Sequence, residues 1–249
     1  YCHNVLLLFI LINTFTVMKY LTILLLLIST YSFSQKHYNF DYLLEYDVTY
    51  YKHSEKGGIT DTLQNGKTFK IYYLTNSKFN NYRAEITELD TLTYKLIFTD
   101  NLGVSLNVKA LKKDLDNAEF INVDCKYVKK LSNRFNYLTK HYDFINLNDT
   151  LLKDVSYKRY KLTSIKPKKT KRHKLATLFY IIAFHLPLLI HTTAYNEFNK
   201  EHSIPNGIFK ERYLVDYDGN LDFRERLISI QKIDKKLVIG DECNYSANK

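Results

Sequence analysis

The chain has 249 residues, of which seven are glycine and none tryptophan, so phosphate-cradling loops of the Walker or dinucleotide kind have little to be made from. Fifteen per cent are aromatic, and a core must draw much of its bulk from 22 Tyr and 15 Phe, rings that suit the pleated surface of a strand. Lys and Arg outnumber Asp and Glu by 36 to 26, a net charge of +10, and no Gly-x-Ser-x-Gly elbow or His-Glu-x-x-His helix marks an enzyme.

The one methionine, Met18, is the expected start of translation, which leaves residues 1–17 as an upstream segment outside the protein. From Met18 a basic start at Lys19, an apolar stretch from Tyr20 to Ile28 and a small-polar close at Ser32, Phe33 and Ser34 spell a signal peptide over 18–34. Cleavage is expected before Gln35, with export to the periplasm or beyond, and no cysteine stands at that site to carry a lipid. A membrane hairpin made of Val5 to Val17 and Tyr20 to Phe33 is the rival reading, but each run falls short of the ~20 apolar residues that a spanning helix needs. The Ser-Phe-Ser-Gln ending on a Lys-, Asn-, Ile- and Tyr-rich background resembles exported proteins of the Bacteroidetes, a likeness of address alone. Residues 35–249 then form a single β-rich domain.

Tyr42, Leu44, Tyr46, Val48 and Tyr50 alternate with other residues and predict one long strand over 38–53, followed by a Gly- and Asn-containing connection to Gly66. From Lys67 to Lys109 the alternations come in series. Tyr82, Ala84 and Ile86, then Leu92, Tyr94, Leu96 and Phe98, then Val104, Leu106 and Val108 are separated by turn residues, so these strands are antiparallel neighbours with one dry face. Ala110 to Asn117 suits a short helix and Glu119 to Val123 a short strand. Between Lys126 and Leu152 only a strand near Tyr142 to Ile145 is discernible.

Val155 to Ile165 alternates again, and Leu175 to His185 is apolar on both faces, which predicts a central strand covered on both sides. Between them Lys166, Lys168, Lys169, Lys171, Arg172 and Lys174 fall within nine residues. That run reads either as a solvated hairpin loop or as a grip for the phosphate groups of an anionic membrane surface; the export signal argues against nuclear localisation, and no nucleic acid is expected as a partner. His191 to His202 predicts a helix with Tyr195 and Phe198 on one stripe. Ile208 to Tyr217 and Leu221 to Ile233 form a hairpin about Asp218-Gly219-Asn220, and Leu237 to Ile239 adds a short edge strand.

An oxidising compartment permits a disulfide between Cys125 and Cys243, with two unpaired thiols as the alternative. His173, His185, His191 and His202 have spacings that match no familiar ligand pattern, so neither a metal nor a cofactor is expected.

The segment Ile204-Pro205-Asn206-Gly207-Ile208, after an aromatic strand and a short helix and before a terminal hairpin, resembles the turn of the GLPGLI family of exported Bacteroidetes proteins, with Asn206 inserted. Long antiparallel strands with a helix laid against them are similar to the lipoprotein-carrier (LolA/LolB-like) half-barrel. That resemblance implies an apolar ligand held between sheet and helices.

The expected fold is mainly β with minor α, a curved antiparallel sheet or half-barrel with one or two short helices. The leading functional reading is an exported, non-catalytic protein binding a lipid-like or other apolar ligand, lined by Leu92, Tyr94, Leu96, Phe98, Leu106 and Val108 and closed by Tyr195 and Phe198. Those side chains can equally pack on each other as a plain core. An envelope structural or interaction protein is the alternative, ahead of an enzyme or an outer-membrane barrel.

Overall fold

A computed structural model describes residues 36–51, 68–79, 81–100, 102–130, 140–183 and 207–240, together with Lys19 and Cys243. Tyr1–Lys36 and His37–Lys249 are separate compact units, and nearly every described residue belongs to the second. That unit is mainly β, as the alternations predict.

Its strands are β1 (Lys36–Tyr50), β2 (Thr68–Thr75), β3 (Tyr82–Glu88), β4 (Thr93–Asp100), β5 (Val104–Leu111), β6 (Phe120–Val123) and β7 (Val128–Lys130), followed by β8 (Tyr142–Leu152), β9 (Val155–Ser164), β10 (Thr177–Ala183), β11 (Ile208–Val215) and β12 (Leu221–Ile239). Two short helices interrupt them, α1 (Lys112–Asn117) and α2 (Pro167–His173), and a single 3-10 turn covers Cys125–Tyr127. The strands make one open, curved sheet in the order β7, β5, β4, β3, β2, β1, β12, β11, β10, β9, β8. β6 pairs off this path, parallel to the end of β12.

The hairpins run as expected through β3, β4 and β5, because each turn is tied by an aspartate. Asp90 accepts the amides of Leu92 and Thr93 at 2.8 and 2.7 Å, and Asp100 accepts those of Leu102 and Val104 at 2.9 and 2.7 Å. Asp100 is buried, and the Tyr38 hydroxyl donates to its other oxygen at 2.8 Å, so no lone carboxylate is left in the core. At the β11–β12 turn Gly219 takes a φ of +91°, which is why glycine stands there.

The apolar surface is divided between two cores. The first gathers Leu44, Tyr46, Val48, Ile71 and Tyr73 with Phe144, Tyr157, Tyr160, Ile182 and Phe209; the second gathers Tyr38, Phe40 and Leu74 with Leu96, Phe98, Leu106, Leu115, Leu237 and Ile239. Register places Leu44 beside Tyr73 but Leu43 beside Leu74, so the two cores lie on opposite faces of β2. The two longest strands also reach both. β1 contributes to the second core early and to the first later, while β12 packs Leu227 and Ile230 into the first and Leu237 and Ile239 into the second.

Four expectations are corrected. The run from Lys166 to Lys174 is no hairpin loop: Pro167 opens helix α2 at a position where its missing amide costs nothing, and Lys174 closes it in the left-handed conformation. The strand read over Leu175 to His185 is β10, and only Ile181, Ile182 and Ala183 are fully buried; towards its start Phe179 stacks on Tyr213 at 5.0 Å in a half-exposed layer. Leu237 to Ile239 is not an edge but the buried end of β12, because β6 pairs alongside it. The strand near Tyr142 extends to Leu152. The helix read over His191 to His202, with Tyr195 and Phe198, lies outside the described residues, as do Ile204, Pro205 and Asn206 of the turn.

Candidate functional site

Facing strands place a charged pair inside the first core. Arg212 on β11 stands opposite Glu225 on β12; its Nε donates to Oε2 at 2.6 Å, and Nη2 lies 2.5 Å from the same oxygen. Glu225 is 4% exposed, so this pair is removed from water and needs further partners. The Tyr73 hydroxyl supplies one, 3.5 Å from Glu225 Oε1 and 3.4 Å from Arg212 Nη2. The guanidinium also lies over the Phe209 ring, 4.9 Å from its centre. Burial works against the Arg212 charge, but Glu225, Tyr73 and Tyr180 more than offset it and the guanidinium holds its proton more tightly than usual. Burial pushes the Tyr46, Tyr73 and Tyr180 phenols above their ordinary range. The guanidinium therefore stays protonated and the three phenols stay neutral near neutral pH. The arrangement is suited to organising a core and not to moving protons.

Beside that core lies a recess of about 300 Å³. It is lined by Tyr157 from β9, Ala183 from β10, Lys210 from β11, and Leu227, Ile228, Ser229 and Ile230 from β12. Tyr157 and Ala183 are buried and belong to the core itself, while Ile228 is 53% exposed. The recess follows from two irregularities. The β10–β11 register shifts at Ile181/Ile182, and Leu227 and Ile230, three residues apart, both pack on the first core, so simple alternation is lost between them. The lining is apolar apart from Lys210 and Ser229. Such a surface can take an apolar chain and offer one cation to its polar end.

Of the ligand-lining residues named from sequence, Tyr195 and Phe198 lie outside the described residues, and the other six are brought together except Leu92. Leu96, Phe98 and Leu106 are buried in the second core, and Tyr94 and Val108 pack against it, beneath Leu115 of α1 and Leu237 and Ile239 of β12. Leu92 departs from them. It sits in the β3–β4 turn before β4 begins and is 69% exposed, because Asp90 draws its amide into the turn and the strand alternation starts only at Thr93.

Cys125 and Cys243 are joined, with Cα atoms 4.8 Å apart across a separation of 118 residues. At the other end of β6, Lys235 donates to the carbonyls of Leu115, Asp116 and Ala118 at 2.8, 2.9 and 2.7 Å, satisfying the end of α1, which carries no basic residue of its own in its last turn. Among the described residues no three His, Cys, Asp or Glu side chains converge as metal ligands.

Sequence reasoning missed the recess and the Arg212–Glu225 pair. A signal for the pair existed: Glu211, Arg212, Arg224, Glu225 and Arg226 put opposite charges at matching distances from the Asp218-Gly219-Asn220 turn. For the recess there was none, since it arises from register shifts.

No protein-family model and no curated protein matches the chain. Among solved structures the fold is similar to MucB in its complex with MucA from Pseudomonas aeruginosa, at 8% identity over 78% of this chain and 52% of that one, with a TM-score of 0.39. It is also similar to MucB alone, at 10% identity over 77% and 53% of the two chains and a TM-score of 0.37. A third likeness is to a domain named as an outer membrane lipoprotein-sorting protein from Vibrio parahaemolyticus, at 9% identity over 77% and 85% and a TM-score of 0.31. The chain spans about half the length of the MucB chains it matches. These likenesses are of fold.

Proposed function

We propose that this protein is an exported, non-catalytic binding protein that takes the apolar part of an amphiphile in the recess beside the first core. The observation that carries the reading is the lining: Tyr157, Ala183, Leu227, Ile228 and Ile230 form an apolar surface, and Lys210 and Ser229 are its polar members. Its volume of about 300 Å³ is at the lower end for small-molecule sites, enough for part of an acyl chain. An anionic headgroup would meet Lys210. This differs from the site read off the sequence, whose buried members pack on one another in the second core.

Displacement of a fluorescent fatty acid from delipidated protein tests the reading. Saturable binding is expected, weakened strongly by Ile228→Lys, which places a charge on the apolar wall at a position exposed enough to leave folding intact, and more mildly by Lys210→Glu. Binding that ignores both substitutions, or no saturable binding, would defeat it.

A second reading, a protein-interaction module, is favoured by β8. This strand ends the sheet among the described residues, and it carries Ile145 and Leu151 at 41% and 72% exposure. Crosslinking in the native envelope would capture one defined partner through residues placed in β8 if that reading holds.

A further inference from the structure

The basic run puts six Lys or Arg within nine residues, and it lies at the opposite end of β9 and β10 from the recess, roughly 20 Å away along the strands. We infer that this end of the sheet docks on an anionic lipid surface, with α2 laid against the headgroups and Ile165 and Tyr217 entering the interface. The inference is independent of what the recess binds.

The geometry of α2 is one-sided. At 100° per residue Lys171, Lys168, Arg172 and Lys169 occupy an arc of about 160°. Thr170 lies opposite that arc and is the one helical residue that is half-buried. Lys168, Lys169, Lys171 and Arg172 are exposed, and none has a carboxylate partner among the described residues. Lys166 flanks the helix at its start, and His141 is bonded into the same corner, its carbonyl accepting the Ile165 amide at 3.0 Å. The Lys166 and Lys169 charges reach the His141 ring.

Compensating acids are few. Lys174 pairs with Asp218 at 3.4 Å, and Asp216 is engaged in holding its own turn through Asn220. Like charges three and four residues apart weaken a helix, so this one keeps its cations at a cost that an anionic partner would offset.

Flanking side chains favour a membrane over a nucleic acid. Ile165, immediately before the helix, is 51% exposed. Tyr217, in the β11–β12 turn that Asp218 ties to Lys174, is 41% exposed. An aliphatic and a tyrosine side chain beside a one-sided cationic helix match the headgroup layer, where aromatic rings and lysine stems are at home.

Vesicle co-sedimentation tests this. The protein is expected to partition onto phosphatidylcholine vesicles that contain phosphatidylglycerol and to stay off pure phosphatidylcholine, with release by added salt. Changing Lys168, Lys169, Lys171 and Arg172 together to Gln should weaken partitioning more than a hundredfold, at about fivefold for each charge removed. Ile165→Ser with Tyr217→Ser should weaken it while leaving the salt dependence unchanged. These positions are exposed, and unchanged thermal melts would show that the variants fold. Equal binding to both kinds of vesicle, indifference to the fourfold change, or binding to duplex oligonucleotide with no affinity for vesicles would overturn the inference.

Discussion

Tyr73 and Leu74 are consecutive residues of β2, each at most 1% exposed, and they belong to different cores on opposite faces of that strand. The two cores therefore share a strand and cannot be lost separately. Leu74→Ala is expected to cost about 2 to 5 kcal/mol, the range for emptying a buried leucine site. Urea unfolding followed by far-UV circular dichroism and by tyrosine fluorescence should still give one coincident transition. Two separated transitions would show that the cores fold independently.

Glu225→Gln leaves Arg212 buried beside a neutral amide. The loss is expected to be about 3 to 5 kcal/mol, whereas Arg212→Met with Glu225→Leu should recover most of it, because removing both charges also removes their desolvation. Denaturation midpoints of the single and double variants decide the matter; a double variant no better than Glu225→Gln would mean that the pair contributes more than mutual neutralisation.

The link between Cys125 and Cys243 closes a long loop and holds residue 243 against the segment that leads into β7. Alkylation under denaturing, non-reducing conditions should find neither cysteine. Reduction should lower stability by roughly 2 to 4 kcal/mol. Two alkylated residues in protein purified from its own cell would contradict the link.

Tyr46, Tyr73 and Tyr180 have phenols pushed above the ordinary value of 10.0 by burial. An unfolded chain gives up these three protons above pH 10 while the folded chain keeps them, so their contribution is complete below pH 10 and declines as pH rises towards the folded values. Urea midpoints should accordingly fall between about pH 9 and pH 11, and Tyr73→Phe should make that fall shallower. A midpoint flat across this range would count against the burial of these hydroxyls.

Much of the sheet was legible where local rules and tertiary structure agree. In β3, β4 and β5 the alternation, the turn aspartates and the pairing all say the same thing, and the strands lie where the pattern puts them. The division into two cores was written more faintly, as the unbroken apolar run Ile71-Tyr72-Tyr73-Leu74, which marks a strand wetted on neither face. The continuation of β12 past Ile233 was hidden by Asp234, Lys235 and Lys236, polar residues that read as an ending; there the strand passes from one core to the other, and Lys235 is occupied with the carbonyls of α1. Of the candidate site, the grouping of Leu96, Phe98 and Leu106 was visible from parity alone. The recess was not, because a shift in register leaves no mark on residue type.

The central pair of the sheet joins its first described strand to its last. Tyr51 donates its amide to the Asp222 carbonyl at 2.8 Å, and the Ser229 hydroxyl reaches Glu45 at 2.9 Å, so β1 and the first part of β12 run antiparallel. During synthesis β1 is made long before β12, and the side it presents to β12 waits unmatched until that strand follows. Such late, long-distance closure is slow, and it leaves an adhesive strand exposed throughout synthesis. Until β12 follows, that side of β1 is an edge open to pairing with the wrong neighbour.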